Sequence, residues 1–387
     1  MWERKSIRER LLAQKWTILF LLAAVALFVI VRVQVAPEQS DAILTGDYAE
    51  YDNGIITEIL SDSAEADPVA DGGYRGEQMM LVEVTTGQYA GESLLVYNYI
   101  GPLYGVPLKV GDRCTMVIST YSDGSHRATV YEYERQTPIL IVLGIFLVIT
   151  ILVGGKTGAK SLVGLLFTVL CVFLLLFPAL MRGAPTLLAT FLLCCYVAAV
   201  SFAVLGGVRK KTVCAFLGTV AGMALALLFA LLSQALLKID GLRSADVEPL
   251  LQLRQTGTPI GLRGLLAAGV VLSSLGAVMD VAMSLSSALA ELKRVNPALS
   301  RRELWRSGMN IGRDMVGTMT NTLILAFLGS GLVLILYIYS LSPARYMLLS
   351  SSFLATELVS GLSSSVGVIL SVPITVAICA AAYGKNK

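Results

Sequence analysis

Charged side chains are scarce in this chain. Asp, Glu, Lys and Arg make up 15% of 387 residues against 55% hydrophobic ones, and the mean hydropathy is +0.72. Soluble domains carry about 25% charged residues, so composition excludes that class and indicates a polytopic membrane protein. Histidine is rarer still. His126 stands alone, and with Cys114 as its one nearby thiol it cannot complete a zinc site. Cys171, Cys194, Cys195, Cys214 and Cys379 fall in apolar runs and leave Cys114 unpartnered in its own segment. The cysteines therefore read as small apolar residues, not a disulfide framework. Gly155-Lys156-Thr157 echoes the end of a phosphate-binding loop, but the earlier glycine position holds Thr150, and the segment joins two apolar runs instead of a strand and a helix. No ATPase motor motif is found, and no cofactor or metal is expected.

What is abundant is apolar sequence in runs of about 20 residues, the length of a helix that crosses a bilayer. Eight spans are expected, near Trp16 to Val35, Thr137 to Val153, Ser161 to Met181, Pro185 to Leu205, Thr212 to Leu237, Gly264 to Leu285, Val316 to Tyr339 and Gly361 to Tyr383. Basic residues set the orientation. Those of the N-terminus, then Lys156 and Lys160, then Arg209, Lys210 and Lys211, then Lys293 to Arg306, then Lys385 and Lys387 fall on one face. Both termini are thereby placed in the cytoplasm. The first span lacks the small residues of a secretory cleavage site at Val33-Gln34-Val35-Ala36, so it reads as a retained anchor. The expected division is a basic tail over residues 1–15, an anchor over 16–35, an acidic extracytoplasmic domain over 36–137, a seven-helix bundle over 138–383 and a cytoplasmic tail over 384–387. The fold class is an all-α polytopic membrane helix bundle of about eight transmembrane helices, with a small mainly-β extracytoplasmic domain inserted after the first helix.

Residues 37–136 hold 17 acidic and 5 basic side chains, a net of −12, and the remainder carries +15. The overall charge of +3 thus hides two opposed halves and gives no indication of nucleic-acid binding. Short alternating runs predict strands over Ile55 to Leu60, Met80 to Thr85 and Arg127 to Tyr133. Turns are expected at Asp52-Asn53-Gly54, at Ser122-Asp123-Gly124 and around Gly111, and a mobile loop over Asp62 to Gly76. A small β-barrel of about 100 residues, OB-like or similar, fits this pattern.

The residues that stand out chemically lie in the last third. On a helix, Asp280, Ser284, Ser287 and Glu291 form one stripe, and Asn310, Asp314, Thr318 and Asn321 a second. Glu357, Gly361 and Ser364 begin a third. Three stripes on neighbouring helices are expected to face one another across a polar seam, because lipid exposure is costly. Small and hydroxyl-bearing residues also let membrane helices approach, which accounts for Ser284, Ser287, Gly317 and Thr318 without function. Asp280, about 24 Å along its span, calls for more than packing. Glu291, Arg313 and Asp314 lie near the cytoplasmic end, where they can be interfacial. An aspartyl protease pairing Asp280 with Asp314 is disfavoured by that same position. The stretch from Tyr346 to Tyr383 exceeds one untilted crossing, and Gly361, Gly367 and Pro373 permit a broken helix.

At these residues the chain resembles a known family. Leu275-Gly276-Ala277-Val278-Met279-Asp280-Val281-Ala282, Ala290-Glu291-Leu292, Ser307 to Asp314 with the following Gly317-Thr318-Met319-Thr320-Asn321, Glu357, Val372-Pro373 and Phe216-Leu217-Gly218-Thr219 are similar in order and spacing to the YibE/F family of bacterial membrane proteins. The resemblance implies a multi-pass bacterial membrane protein with an outward domain. It singles out Asp280, Arg313, Asp314, Asn321 and Glu357, and supplies no activity or substrate.

The expected function is that of a non-enzymatic, ion-coupled secondary transporter or permease. Asp280 and Glu357 would respond to a proton or cation, Asn321 and nearby hydroxyls would act as neutral ligands, and Arg313 as counter-ion to Asp280 or Asp314. The partners are then the bilayer and a small solute or ion such as H⁺ or Na⁺. The alternative is a scaffold or envelope-assembly component that binds a protein through its acidic external domain.

Overall fold

The computed structural model describes residues 3–35, 48–120, 126–240, 247–255, 257–341 and 350–384. The chain divides into two compact units, Gln39–Ile149 and Met1–Glu38 with Thr150–Lys387.

The first unit is built on six strands: β1 (Tyr48–Asp62), β2 (Glu65–Ala66), β3 (Tyr74–Val84), β4 (Ser93–Ile100), β5 (Arg113–Thr120) and β6 (His126–Tyr133). They run in the order β1-β5-β6-β4-β3-β2, and β1 also pairs with β3. The five long strands thereby close into a barrel, with β4 and β6 parallel and every other pair antiparallel. That order is the OB-type barrel expected from the sequence. Alternation explains the closure: Met80, Val82 and Val84 of β3 point inward and pack with Ile56, Val96, Cys114, Met116 and Ile118, as a period of two requires.

Two local expectations are corrected. Asp52-Asn53-Gly54 is not a turn, since β1 runs through it, pairing with β5 up to Ile55 and with β3 from Gly54 onward. Gly54 is a barrel corner where an added Cβ would collide with Met116 and Val82, the close backbone approach that places glycine inside strands. The segment from Asp62 to Gly76 is an ordered hairpin, not a mobile loop. β2 pairs with β3, and the Asp67 carboxylate accepts from the backbone N–H groups of Val69 and Ala70 at 2.8 and 2.9 Å. Those two bonds hold its pKa below the usual carboxylate value. The turn at Ser122-Asp123-Gly124 lies outside the described residues.

The second unit is helical: α1 (Glu3–Gln34), α2 (Gln136–Cys171), which begins in the first unit and runs through a π turn into α3 (Phe177–Met181), α4 (Thr186–Gly206), α5 (Lys210–Leu237), α6 (Glu248–Gln255), α7 (Leu265–Val295), α8 (Arg301–Ser330), α9 (Leu332–Ser340) and α10 (Ser352–Tyr383). Among the described residues six helical stretches are long and apolar enough to cross a membrane. One of them, Gln136–Met181, covers two expected spans and turns sharply at Gly155, whose φ of 52° and ψ of −137° suit glycine. The turn brings Gly158 against the Thr150 carbonyl, far closer than eight residues of straight helix allow. The expected span from Val316 to Tyr339 is divided at Gly331 between α8 and α9. The last stretch is one helix from Ser352 with Pro373 inside it, so the break permitted at Gly361 or Gly367 is not made.

Small residues bring α5, α8 and α10 together. A Cβ on Gly222 would lie 2.7 Å from Val278 and 2.8 Å from Ser371, and one on Gly367 2.7 Å from Ala226. Gly308 and Gly312 receive Val376 and Val372 in the same way. Without a hydrophobic force to separate helix from lipid, such close van der Waals packing holds membrane helices together.

Candidate functional site

Asp280 is the middle residue of α7, with fifteen helical residues on either side. The helix has two faces. Val278, Val281, Leu285 and Leu289 form a core with Leu304 of α8 and Val368, Val372 and Val376 of α10. The opposite face carries Asp280 into a cleft of about 570 Å³, where Ser161 and Thr168 of α2, Ser201 of α4 and Ser273 of α7 join it. Among the described residues no side chain forms an ion pair or hydrogen bond with Asp280.

The hydroxyls around it differ in what they have left to offer. Thr168 donates to the Gly164 carbonyl at 2.9 Å, the usual back-bond of a helical hydroxyl, and keeps its acceptor capacity. Ser273 donates to the Val270 carbonyl or shares a 3.1 Å hydrogen bond with Ser364 of α10. Ser201 is 6% exposed, and its hydroxyl has no partner among the described residues. A carboxylate with several hydroxyl oxygens in one cleft is a donor set for a small hard cation or a proton-bearing water.

The three polar stripes do not meet. On α7, Ser284 is exposed and Ser287 half-buried, while Glu291 is exposed and paired with Arg294 at 2.8 Å, a solvated i,i+3 pair. On α8 the buried positions are Leu304, Gly308 and Gly312. That leaves Asn310, Arg313, Asp314, Thr318 and Asn321 exposed on its other side. Among the described residues the Thr318 hydroxyl bonds only to carbonyls of its own helix. Arg313 forms no ion pair with Asp280 or Asp314, so the expected counter-ion is not in place. Glu357 of α10 lines a separate hollow of about 120 Å³, beside Ile324, Phe327, Leu328 and Ile335. The seam fails because α7, α8 and α10 contact one another through valine, leucine and glycine. Those apolar and small positions permit the closest approach, and the polar positions of α8 are left on its other side.

One member of the third stripe does reach α7. Ser364 is fully buried and meets Ser273, which lies two helical turns before Asp280 on the same face. Ser161, Thr168, Ser201 and Ser273 were not singled out from the sequence. Lone serines and threonines in apolar runs carry no periodic signal, although Ser273 could have been found as the i−7 neighbour of Asp280. Ser286, also missed, is buried and donates to the Lys211 carbonyl, fixing α7 to the start of α5.

Long apolar helices packed through small residues, around a largely apolar cleft that holds one carboxylate and four hydroxyls, define a multi-pass membrane protein. The family model for YibE/F-like protein matches residues 142–385, and the chain belongs to that family. No curated protein and no solved structure matches it.

Proposed function

We propose that the helical unit is an ion-coupled secondary transporter or permease of the cell membrane whose pathway runs through the cleft at Asp280. The observation that carries this reading is Asp280, a carboxylate midway along a membrane helix with no ion pair or hydrogen bond among the described residues, opening on a cleft whose other polar groups are hydroxyls. An intramembrane charge without a partner is retained at a free-energy cost that function explains best. Asp280 would take up the proton or cation, Ser201, Thr168 and Ser273 would complete its coordination, and Ser364 would link the cleft to α10. Asn321, Asp314 and Arg313 then belong to a different surface, and Glu357 to a different hollow. With the basic connections on the cytoplasmic side, both termini are cytoplasmic and the barrel lies outside.

The test is proton and Na⁺ flux in proteoliposomes, comparing the intact protein with Asp280→Asn after both are shown to be monodisperse. Flux that disappears with the substitution supports the pathway. Equal flux in the two proteins removes it. A second reading, an envelope scaffold that binds a protein through the barrel, is favoured by the concentration of negative charge in residues 37–136. Under it, deleting the barrel abolishes the cellular phenotype and Asp280→Asn leaves it intact.

A further inference from the structure

A second hollow, of about 530 Å³, lies at the opposite chemical extreme from the Asp280 cleft. It is lined by Lys160 of α2, Arg209 of the α4–α5 connection and Lys211 in the first turn of α5, with Thr17 of α1 and the backbone of Gly206 and Gly207 between them. No acidic residue lines it, and none of the three cations is ion-paired among the described residues. Three like charges around one hollow repel one another, and an anion would offset that repulsion.

The backbone adds to the same field. α5 starts at Lys210 with Arg209 as its N-cap and no side chain capping it, so the N–H groups of its first turn present the positive end of the helix dipole to the hollow. Gly207 has a φ of 69°, a left-handed conformation that L side chains rarely adopt, and it leaves the wall bare of side chain. Thr212, in that first turn, is 5% exposed and its hydroxyl has no partner. It lies behind the Gly206 wall, 3.0 Å from where a Cβ would stand. The walls are held in place from two sides. The Thr17 hydroxyl accepts from the Val208 N–H at 3.0 Å, tying α1 to the α4–α5 turn, and Ser286 ties the start of α5 to α7.

The positive-inside rule accounts for basic residues in these connections. It does not account for basic residues from two separate segments, α2 and the start of α5, converging on one concavity beside an uncapped helix start. We infer that this hollow is a binding site for a phosphate oxyanion, carried either by an anionic lipid headgroup or by a free phosphate or phosphomonoester. Arg209 supplies a bidentate fork, Lys160 and Lys211 supply point charges, and the first-turn N–H groups supply neutral donors. The inference does not depend on transport through the Asp280 cleft.

The test uses the full-length protein in nanodiscs, which expose both faces, so any effect of the substitutions on membrane orientation drops out. Lipid retention by native mass spectrometry is compared between pure phosphatidylcholine discs and discs doped with phosphatidylglycerol, and inorganic phosphate is titrated into the pure phosphatidylcholine discs. The variants are Lys160→Gln, the double Lys160→Gln/Arg209→Gln, and Lys156→Gln as a basic residue of the same turn that does not line the hollow. The expected result is retained phosphatidylglycerol or saturable phosphate binding in the wild type, weakened at least tenfold in the double variant, less in Lys160→Gln, and unchanged in Lys156→Gln. Saturation by inorganic phosphate without lipid retention identifies a soluble ligand, and retention without phosphate binding identifies a headgroup. Because Lys160 is exposed, its single variant keeps the test valid if the double one misfolds. Absence of both kinds of binding, or equal loss in Lys156→Gln, overturns the assignment.

Discussion

Buried polar groups are treated in opposite ways in the two units. In the barrel, the Gln78 amide uses its whole capacity. Its Nε2 donates to the Leu108 carbonyl at 3.1 Å and to Asp62 at 3.0 Å, while its Oε1 accepts from the Leu108 N–H at 2.9 Å and from Asn98 at 3.0 Å. Asn98 in turn donates to the Val106 carbonyl. In the helical unit many hydroxyls are satisfied by their own helix, as Thr219, Ser365 and Ser371 are, yet Thr190, Thr212, Ser363 and Thr375 are buried with no partner among the described residues, and Ser201 faces the cleft with none there either. A closed network fixes one structure and leaves nothing over for a ligand. Unpaired hydroxyls keep capacity that water, an ion or a moving neighbour can use. The contrast places rigidity in the barrel and capacity for binding in the bundle. Among the described residues Asp52 is the exception in the barrel, with one carboxylate oxygen bonded to Thr86 and the other without a partner.

The largest expected effect comes from breaking the closed network. Gln78→Leu strands the Leu108 N–H and carbonyl and one bond each of Asn98 and Asp62. With about 1–3 kcal/mol for each buried group left unsatisfied, the barrel should lose upwards of about 3 kcal/mol. Hydrogen–deuterium exchange of the full chain reads this as faster exchange in peptides from β3 and β4. Unchanged protection there would mean that the amide network is incidental. Next in size is the bundle's own packing. Gly222→Leu drives a side chain into Val278, Ser371 and the Gly367 carbonyl, an overpacking of roughly 2 kcal/mol. It should lower the melting temperature in detergent and leave barrel exchange unaltered. Melting like wild type would refute the tight crossing of α5 on α10.

Where period and composition carried a signal, the fold was legible in advance. The alternation at Met80 to Val84 predicted an inward face, and runs of about 20 apolar residues located most of the membrane helices. Gly54 misled because a turn and a barrel corner ask for the same residue. Asp62 to Gly76 misled because polar, glycine-rich composition does not distinguish a loose loop from one closed by Asp67. The site was half legible. Asp280 stands out in any hydropathy reading, but the stripes gave only helix faces, not which face each helix would turn inward. That choice was made by Gly308, Gly312, Gly222 and Gly367, whose close packing outweighs the convergence of polar side chains.

A titration sharpens the barrel side of the comparison. Cys114 is fully buried, and desolvation, with a smaller push from Asp112, raises its thiol from 9.0 to about 11. A folded pKa above the unfolded one means that stability is complete below pH 9 and is lost as pH rises from about 9 to 11, because the unfolded thiol ionises first. The loss approaches about 2 kcal/mol. Exchange protection of β5, followed from pH 8 to 11 after correction for the intrinsic rate, should fall more steeply in wild type than in Cys114→Ala. Parallel profiles would show that the thiol is not desolvated.

The smallest effect on stability should come from Ser201→Ala, and for that reason it separates the two treatments of polar groups most cleanly. Removing Gln78 orphans its partners, whereas removing the Ser201 hydroxyl orphans none among the described residues. The desolvation cost of an unpaired hydroxyl disappears with it, so stability should change by no more than about 0.5 kcal/mol in either direction. If that hydroxyl completes the coordination around Asp280, ion flux in proteoliposomes falls while the melting temperature stays put. A drop in both would assign Ser201 to packing, like the hydroxyls bonded within their own helices. Unchanged flux with unchanged stability would move the pathway away from the α4 wall of the cleft and toward Ser273 and Ser364.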